Sequence, residues 1–197
     1  ENFEIEIDYL DLFTAPIQMS KLDIDIDSLT EFCYEMKHKD KDGAKKSNFG
    51  GWQSKNIVGE THQEFEKLKK HIDRATEIYK YEIEFVSRIL RIGNIWVNLN
   101  KKGSYNEWHT HPYSTFSGCF YLNVTTPIVF RHPYREINTF YWNPENIKDW
   151  NAVNSGEWKL APKPNTLLIF PSWLEHKVDL NPEDIDRITI SFNVQFV

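Results

Sequence analysis

The chain has 197 residues, 40% of them hydrophobic and 15% aromatic, enough to bury one substantial core. Its formal net charge of -6 argues against a nucleic-acid binder, because phosphate contact calls for a basic surface. Two cysteines, Cys33 and Cys119, form neither a disulfide framework nor a CxxC pair, and no apolar run reaches the ~18 residues of a membrane span. A reducing cytosol is the expected compartment, and ENFEIEIDYL at the start lacks the basic-then-apolar pattern of a secretory signal.

In chain order, Phe3, Ile5 and Ile7 alternate with acidic residues, which predicts a strand over 3–7. An extended segment with Leu12, Phe13, Ile17 and Met19 follows, broken by Pro16. Ser28 and Glu31 have capping-box spacing ahead of Leu29, Phe32, Cys33 and Met36, so a helix is expected from Ser28. The charge run KHKDKDGAKK reads as a solvated turn. In the SNFGGWQSKN loop behind it, Gln53 and Ser54 are candidates for a pocket mouth, with a plain loop as the alternative. Thr61 and Glu64 form a second capping box, and Phe65, Leu68, Ile72, Ala75 and Tyr79 trace one helical stripe. His62 and His71 on that helix are read as solvated.

From Ile89 onward the period is two. Strands are expected at 95–100, 118–124, 128–132, 139–142, 157–160, 166–170, 176–178 and 187–196, separated by turn residues such as Lys102-Gly103 and Ser155-Gly156. Short strands after two helices predict a mainly β fold, a sandwich or jelly roll with both helices on one sheet. No linker divides the chain, so one unit over 1–197 is expected, with 1–88 as the helical approach and 89–197 as the sandwich. In the last strand Arg187, Thr189, Ser191, Asn193 and Gln195 share one face, and Ile188, Ile190, Phe192, Val194 and Phe196 the other. Trp96, Asn98 and Asn100 form a similar polar face, so two sheets with a hydrated interior are expected.

His109 and His111 point the same way if their segment is extended, and a later strand can bring His176 beside them. Three imidazoles suit iron, zinc, copper or nickel and leave open positions on the ion. Alone, however, HTH reads equally well as a surface turn with two solvated histidines. Arg187 and Thr189 shift the balance, because a guanidinium facing a cavity binds a carboxylate through two parallel hydrogen bonds. Tyr121, Asn98 and Asn193 are further candidate contacts, with a core role open for Tyr121. Trp108 and Trp173 read as packing walls of the metal pocket, and Cys119 as core.

The stretches LFTAPI, GGWQS, WHTHPYSTFSGCFYL, FPSWLEHKV and RITISFN together resemble the iron(II)- and 2-oxoglutarate-dependent oxygenases, and within them the oxygenase family common in marine bacteria and tailed phages. The resemblance implies a double-stranded β-helix with Fe(II) as the metal and 2-oxoglutarate as the cosubstrate. It puts His109 and His176 in the two histidine ligand places. His111 occupies the position where the wider superfamily has Asp or Glu; Glu107 is the alternative carboxylate. Arg187 takes the distal carboxylate of 2-oxoglutarate with Thr189 beside it. The implied reaction is hydroxylation of a substrate C–H bond, coupled to decarboxylation of 2-oxoglutarate to succinate. The prime substrate, a protein or a small molecule, is not legible. The aromatic stretch 134–154 is either a lid or a surface excursion. A homodimer and a cytoplasmic site, the host cytoplasm for a phage protein, are further expectations. Two other readings stand beside this one: a three-histidine cupin-type metalloenzyme without 2-oxoglutarate, and a jelly-roll binding module without catalysis.

Overall fold

Two antiparallel sheets build the molecule and face each other across an interior that is partly polar and partly apolar. The computed structural model describes residues 6–85, 89–123 and 126–197, and of 138 and 139 the backbone alone. The first sheet has six strands, in the order β1 (Gln18–Lys21), β9 (Thr166–Pro171), β6 (Phe116–Tyr121), β11 (Arg187–Phe196), β4 (Leu90–Asn100) and β3 (Trp52–Gln53). The second has five: β2 (Asn48–Phe49), β5 (Tyr105–His109), β10 (His176–Val178), β7 (Ile128–Arg131) and β8 (Glu157–Leu160). Helices α1 (Ile26–Lys39) and α2 (Gln63–Glu82) pack on the six-stranded sheet, and α3 (Arg135–Tyr141) follows β7. The fold is therefore mainly β with few helices.

The larger core lies between the helices and the six-stranded sheet. Leu29, Phe32, Cys33 and Met36 of α1 and Phe65, Leu68 and Ile72 of α2 meet Ile95, Val97, Leu99, Ile188, Ile190 and Phe192. Burial of each such side chain contributes roughly 1.5–3 kcal/mol, which commits the apolar face of β11 to the helices. The other face of β11 must then look between the sheets. A smaller core there contains Tyr121, Ile128, Phe130, Leu168 and Phe170. Cys33 and Cys119 are both buried free thiols.

Several elements differ from the sequence expectation. Helix α1 begins at Ile26, because Asp25 and not Ser28 caps it: its carboxylate accepts the Ser28 N–H at 3.1 Å. Helix α2 begins at Gln63 without a side-chain cap. Glu64, expected to pair with Thr61, is buried and accepts the Asp25 N–H at 3.0 Å, so it ties the starts of the two helices together. His62 stacks on Phe32, with ring centroids 4.9 Å apart, and is not simply solvated. The strand expected at 3–7 lies mostly outside the described residues, and Glu6 and Ile7 are exposed coil. The strand expected at 118–124 is Phe116–Tyr121, with position 124 outside the described residues. The strand expected at 139–142 is instead the end of α3, with Trp142 in the bend after it. β7 stops at Arg131 and its neighbour β8 starts at Glu157, so this stretch has no described strand to pair with and closes its hydrogen bonds locally. β5, which the sequence did not reveal, lacks apolar alternation; its Asn106 is instead held by Asn100 Nδ2 at 2.9 Å.

Gly118 sits in β6 opposite Phe192, where a Cβ would collide with the Phe192 ring and the Leu168 carbonyl oxygen. Gly118→Ala should therefore lower stability by about 1–3 kcal/mol through overpacking, seen as a lower urea midpoint with an unchanged m-value.

Candidate metal centre

The antiparallel register of β10 and β5 sets His176 directly opposite His109. β5 ends at His109, and two residues later the His111 N–H donates to the Ser172 carbonyl at 3.0 Å, which folds its ring back over the same spot. The rings of His109 and His176 lie 4.3 Å apart between centroids, and His111 Nε2 stands 3.3 Å from His176 Nε2. One ligand nitrogen from each of the three histidines lies within 4.8 Å of the other two. Two nitrogens ~2.1 Å from a shared ion and at right angles about it sit ~3 Å apart, so this spacing suits a metal.

Two backbone carbonyls orient the rings. His109 Nδ1 faces the Glu107 carbonyl at 2.7 Å, and His176 Nδ1 faces the Leu174 carbonyl at 2.9 Å. A carbonyl only accepts, so each Nδ1 carries the proton and each Nε2 keeps its lone pair for an ion. Burial lowers the pKa of all three histidines, that of His111 to about 4 and that of His176 well below its ordinary value, with the neighbouring rings adding to the effect on both. Three neutral donors held together fit a soft-to-borderline divalent cation. Glu107 leaves its exposed carboxylate outside this cluster and contributes its backbone oxygen.

A cavity of about 460 Å³ opens from the histidines between the sheets. Asn98, Arg187, Thr189 and Asn193 line it. Arg187 is 2% exposed, and its Nε donates to the Thr126 carbonyl at 3.2 Å. Among the described residues no carboxylate forms an ion pair with it. Thr189 Oγ1 accepts from Asn98 Nδ2 at 3.4 Å and from Arg187 Nη1 at 3.5 Å, so its own hydrogen is left to donate into the cavity. Asn193 is oriented similarly: its Oδ1 accepts from Ser117 at 2.7 Å, and Ser117 must then accept from Ser172 at 2.7 Å. The Asn193 amide nitrogen is thereby turned away from Ser117.

Other expected residues fall elsewhere. Tyr121 is fully buried and does not line the cavity; the Arg187 guanidinium lies over its ring, 5.3 Å from the centroid, and burial holds its hydroxyl protonated. Cys119, expected in the core, is buried yet reaches the cavity wall. Trp108 is not a wall of the metal pocket: it faces the other way, under Arg131 at 3.9 Å. Trp173 is exposed, and Trp96 takes the place beside the metal cluster, 5.8 Å from the His111 ring. Gln53 lines the cavity, whereas Ser54 is buried and binds the Val97 N–H at 2.9 Å. Lys46, Asn94 and Asn106 complete a polar rim that sequence reasoning missed, although Asn94 lies on the same strand face as Trp96 and Asn98. None of the described side chains of 134–154 lines this cavity.

The family described as "Putative 2OG-Fe(II) oxygenase" matches residues 94–193, half of the chain, and the chain belongs to it. Its metal and cosubstrate are accordingly Fe(II) and 2-oxoglutarate. The fold is similar to that of several solved structures. One is a prolyl-4-hydroxylase from Pseudomonas putida, at a TM-score of 0.59 and 13% identity, with 94% of this chain and 95% of that one covered. Another is HygX from Streptomyces hygroscopicus, solved with nickel and 2-oxoglutarate, at 0.63 and 11% over 92% and 83%. A third is the α-ketoglutarate-dependent epimerase SnoN of nogalamycin biosynthesis, at 0.62 and 11% over 91% and 76%. No curated protein matches the sequence. Among the described residues no helix is long and apolar enough to cross a membrane.

His176→Ala should cut Ni(II) affinity about 100-fold or more while the wild type takes up one ion per chain, as read by calorimetry. The metal-free protein should also lose stability on acidification. An unfolded histidine protonates near 6.5 and folded His111 only near 4, so between these values the unfolded chain binds more protons and the stability falls as the pH falls. Urea midpoints at pH 7.5 and 5 should show the drop, and His111→Gln should shrink it.

Proposed function

We propose that the protein is an Fe(II)- and 2-oxoglutarate-dependent dioxygenase that hydroxylates a C–H bond of its prime substrate. One dioxygen and one 2-oxoglutarate are consumed per turnover, and alcohol, succinate and carbon dioxide leave. In this reading His109, His111 and His176 hold the iron. The ion and its cosubstrate supply the oxidising power, and the chain supplies position and exclusion of water. The strands take the double-stranded β-helix arrangement as one unit over 1–197, and kinship with the marine-bacterial and phage oxygenases is part of the same proposal.

The observation that carries the reading is Arg187. A guanidinium almost out of contact with solvent, and without a carboxylate partner among the described residues, is costly, by several kcal/mol, until an anion joins it. Its planar fork suits the distal carboxylate of 2-oxoglutarate, and the free hydrogen of Thr189 adds a third bond. Asn98 holds Thr189 from behind, and the Asn193 amide is a further donor toward the cosubstrate. The histidine set supports the same conclusion electrostatically. Three neutral imidazoles leave the full charge of a divalent cation uncompensated, and the chelating carboxylate of 2-oxoglutarate offsets part of it while the distal one meets Arg187.

A three-histidine cupin-type enzyme shares the neutral ligand set but has no standing use for a buried anion clamp. One experiment separates the two. Anaerobic protein with Fe(II) should bind 2-oxoglutarate, and on admission of air it should form succinate even without a prime substrate. Arg187→Lys, which keeps the charge but loses the fork, should weaken 2-oxoglutarate binding about 10- to 100-fold and leave metal uptake unchanged. Protein that holds iron yet neither binds nor converts 2-oxoglutarate would sink the proposal.

A further inference from the structure

Beyond the metal cavity the surface continues as a trail of depressions. The first, about 400 Å³, shares Thr110 with the metal cavity and is walled by Arg131, Glu175 and Trp173. The second, about 650 Å³, shares Arg135 and Glu136 with the first and adds Phe140. The third, about 470 Å³, shares Gly156 and Glu157 with the second and ends against Trp150 and Trp158. The trail thus leads from the rim of the histidine cluster along the start of β8.

β8 is the last strand of its sheet, and Glu157, Trp158 and Lys159 are exposed. The His132 N–H donates to the Gly156 carbonyl at 2.9 Å, which marks the Gly156–His132 pair as hydrogen-bonded. The ladder alternates from there, with Trp158 opposite Phe130 and Leu160 opposite Ile128 directed at β7. The intervening Glu157 and Lys159 must then turn their N–H and C=O groups to the free edge. The Arg131 N–H fits this alternation, since it turns the other way, to the Glu175 carbonyl at 2.9 Å. Among the described residues no strand takes up these edge groups. Exposed edges of this kind bind extended chains by adding a strand.

From these observations we infer that the prime substrate is an extended polypeptide, which pairs with the outer edge of β8 and runs along the trail over Thr110 into the metal cavity. This rests on the dioxygenase reading above and names its substrate class. The side chains along the path suit a peptide. Phe140 is 83% exposed and Trp150 55%, rings that contribute area with few rotors to immobilise. The charges alternate in sign, with Arg131 bonded to Glu175 at 2.6 Å and Arg135 to Glu157 at 3.4 Å. A polyanion would meet Glu136, Glu157 and Glu175 along the same path, which disfavours nucleic acid.

The test uses the intact protein without added iron, so its result is independent of the succinate assay. An array of decapeptides tiled over reduced, carboxymethylated serum albumin, each ~33 Å long when extended, serves as the probe. A subset should bind saturably, and the tightest should slow amide exchange at Glu157 and Lys159. Lys159→Pro removes an outward N–H but no bond to β7, and should weaken that peptide at least ten-fold. Lys159→Ala keeps the backbone donor and should stay within two-fold. Should the proline variant fail to fold, Trp150→Ala, a surface change, should still weaken binding about five-fold. Absence of saturable binding, equal binding by the proline and alanine variants, or tighter binding of an oligosaccharide array than of any peptide would each overturn the inference.

Discussion

The pairing of His176 with His109 across β10 and β5 is the constraint from which the rest of the site follows. A shift of that register by one residue would turn one imidazole to the opposite face of the sheet and scatter the nitrogens. The register is held from both sides, because His176 also pairs with Phe130 of β7. The carbonyls of Glu107 and Leu174 then choose the tautomers, so the two strands supply the ring positions as well as the protonation that metal binding requires. The third ring comes from outside the strands. His111 reaches the cluster through its backbone bond to Ser172, immediately after β9.

The opposite end of the cavity is organised by a different force. Burial of Ile188, Ile190 and Phe192 against the helices obliges Arg187 and Thr189 to face inward, so the hydrophobic core positions the charge. Tyr121 lies under the guanidinium and Thr126 accepts from it, which fixes the fork without neutralising it. Hydrogen bonds among Asn98, Thr189 and Ser191, and among Ser172, Ser117 and Asn193, fix the remaining donors. At this end of the cavity Asn98, Thr189 and Asn193 thus have partners on the protein side already assigned. Such preorganisation suits an anionic chelate beside a cation.

In the proposed reading the five-stranded sheet serves a second purpose at its other edge. β10 and β5 carry His176 and His109, β7 carries Arg131, and β8 ends the sheet with no strand among the described residues on its outer edge. The histidine strands and the exposed edge therefore belong to one hydrogen-bonded sheet, so a chain added at β8 would be held in a set orientation to the histidines. Arg135, Glu136, Phe140 and Trp150 of the aromatic stretch line depressions on this outer surface, and none of its described side chains lines the cavity.

Much of this was legible in the residues themselves. Alternation along 187–196 separated the polar face from the apolar one, because a strand has a period of two whatever it packs against. The stripe Phe65, Leu68, Ile72 and Tyr79 revealed α2 for the corresponding helical reason. Where local signals competed, sequence reasoning failed: Asp25 displaced Ser28 as a cap, Glu64 was drawn to a neighbouring helix, and 139–141, with no partner strand among the described residues, is helical. β5 escaped notice because Asn106 is buried by a hydrogen bond and not by hydrophobicity. Composition and spacing determined which side chains could bind a cation and an acid. Which of them meet, and that Tyr121 is sealed beneath Arg187 while Trp96 stands beside the histidine cluster, was decided only by the packing of strands distant in the chain, since register and burial are properties of pairs that no single segment contains.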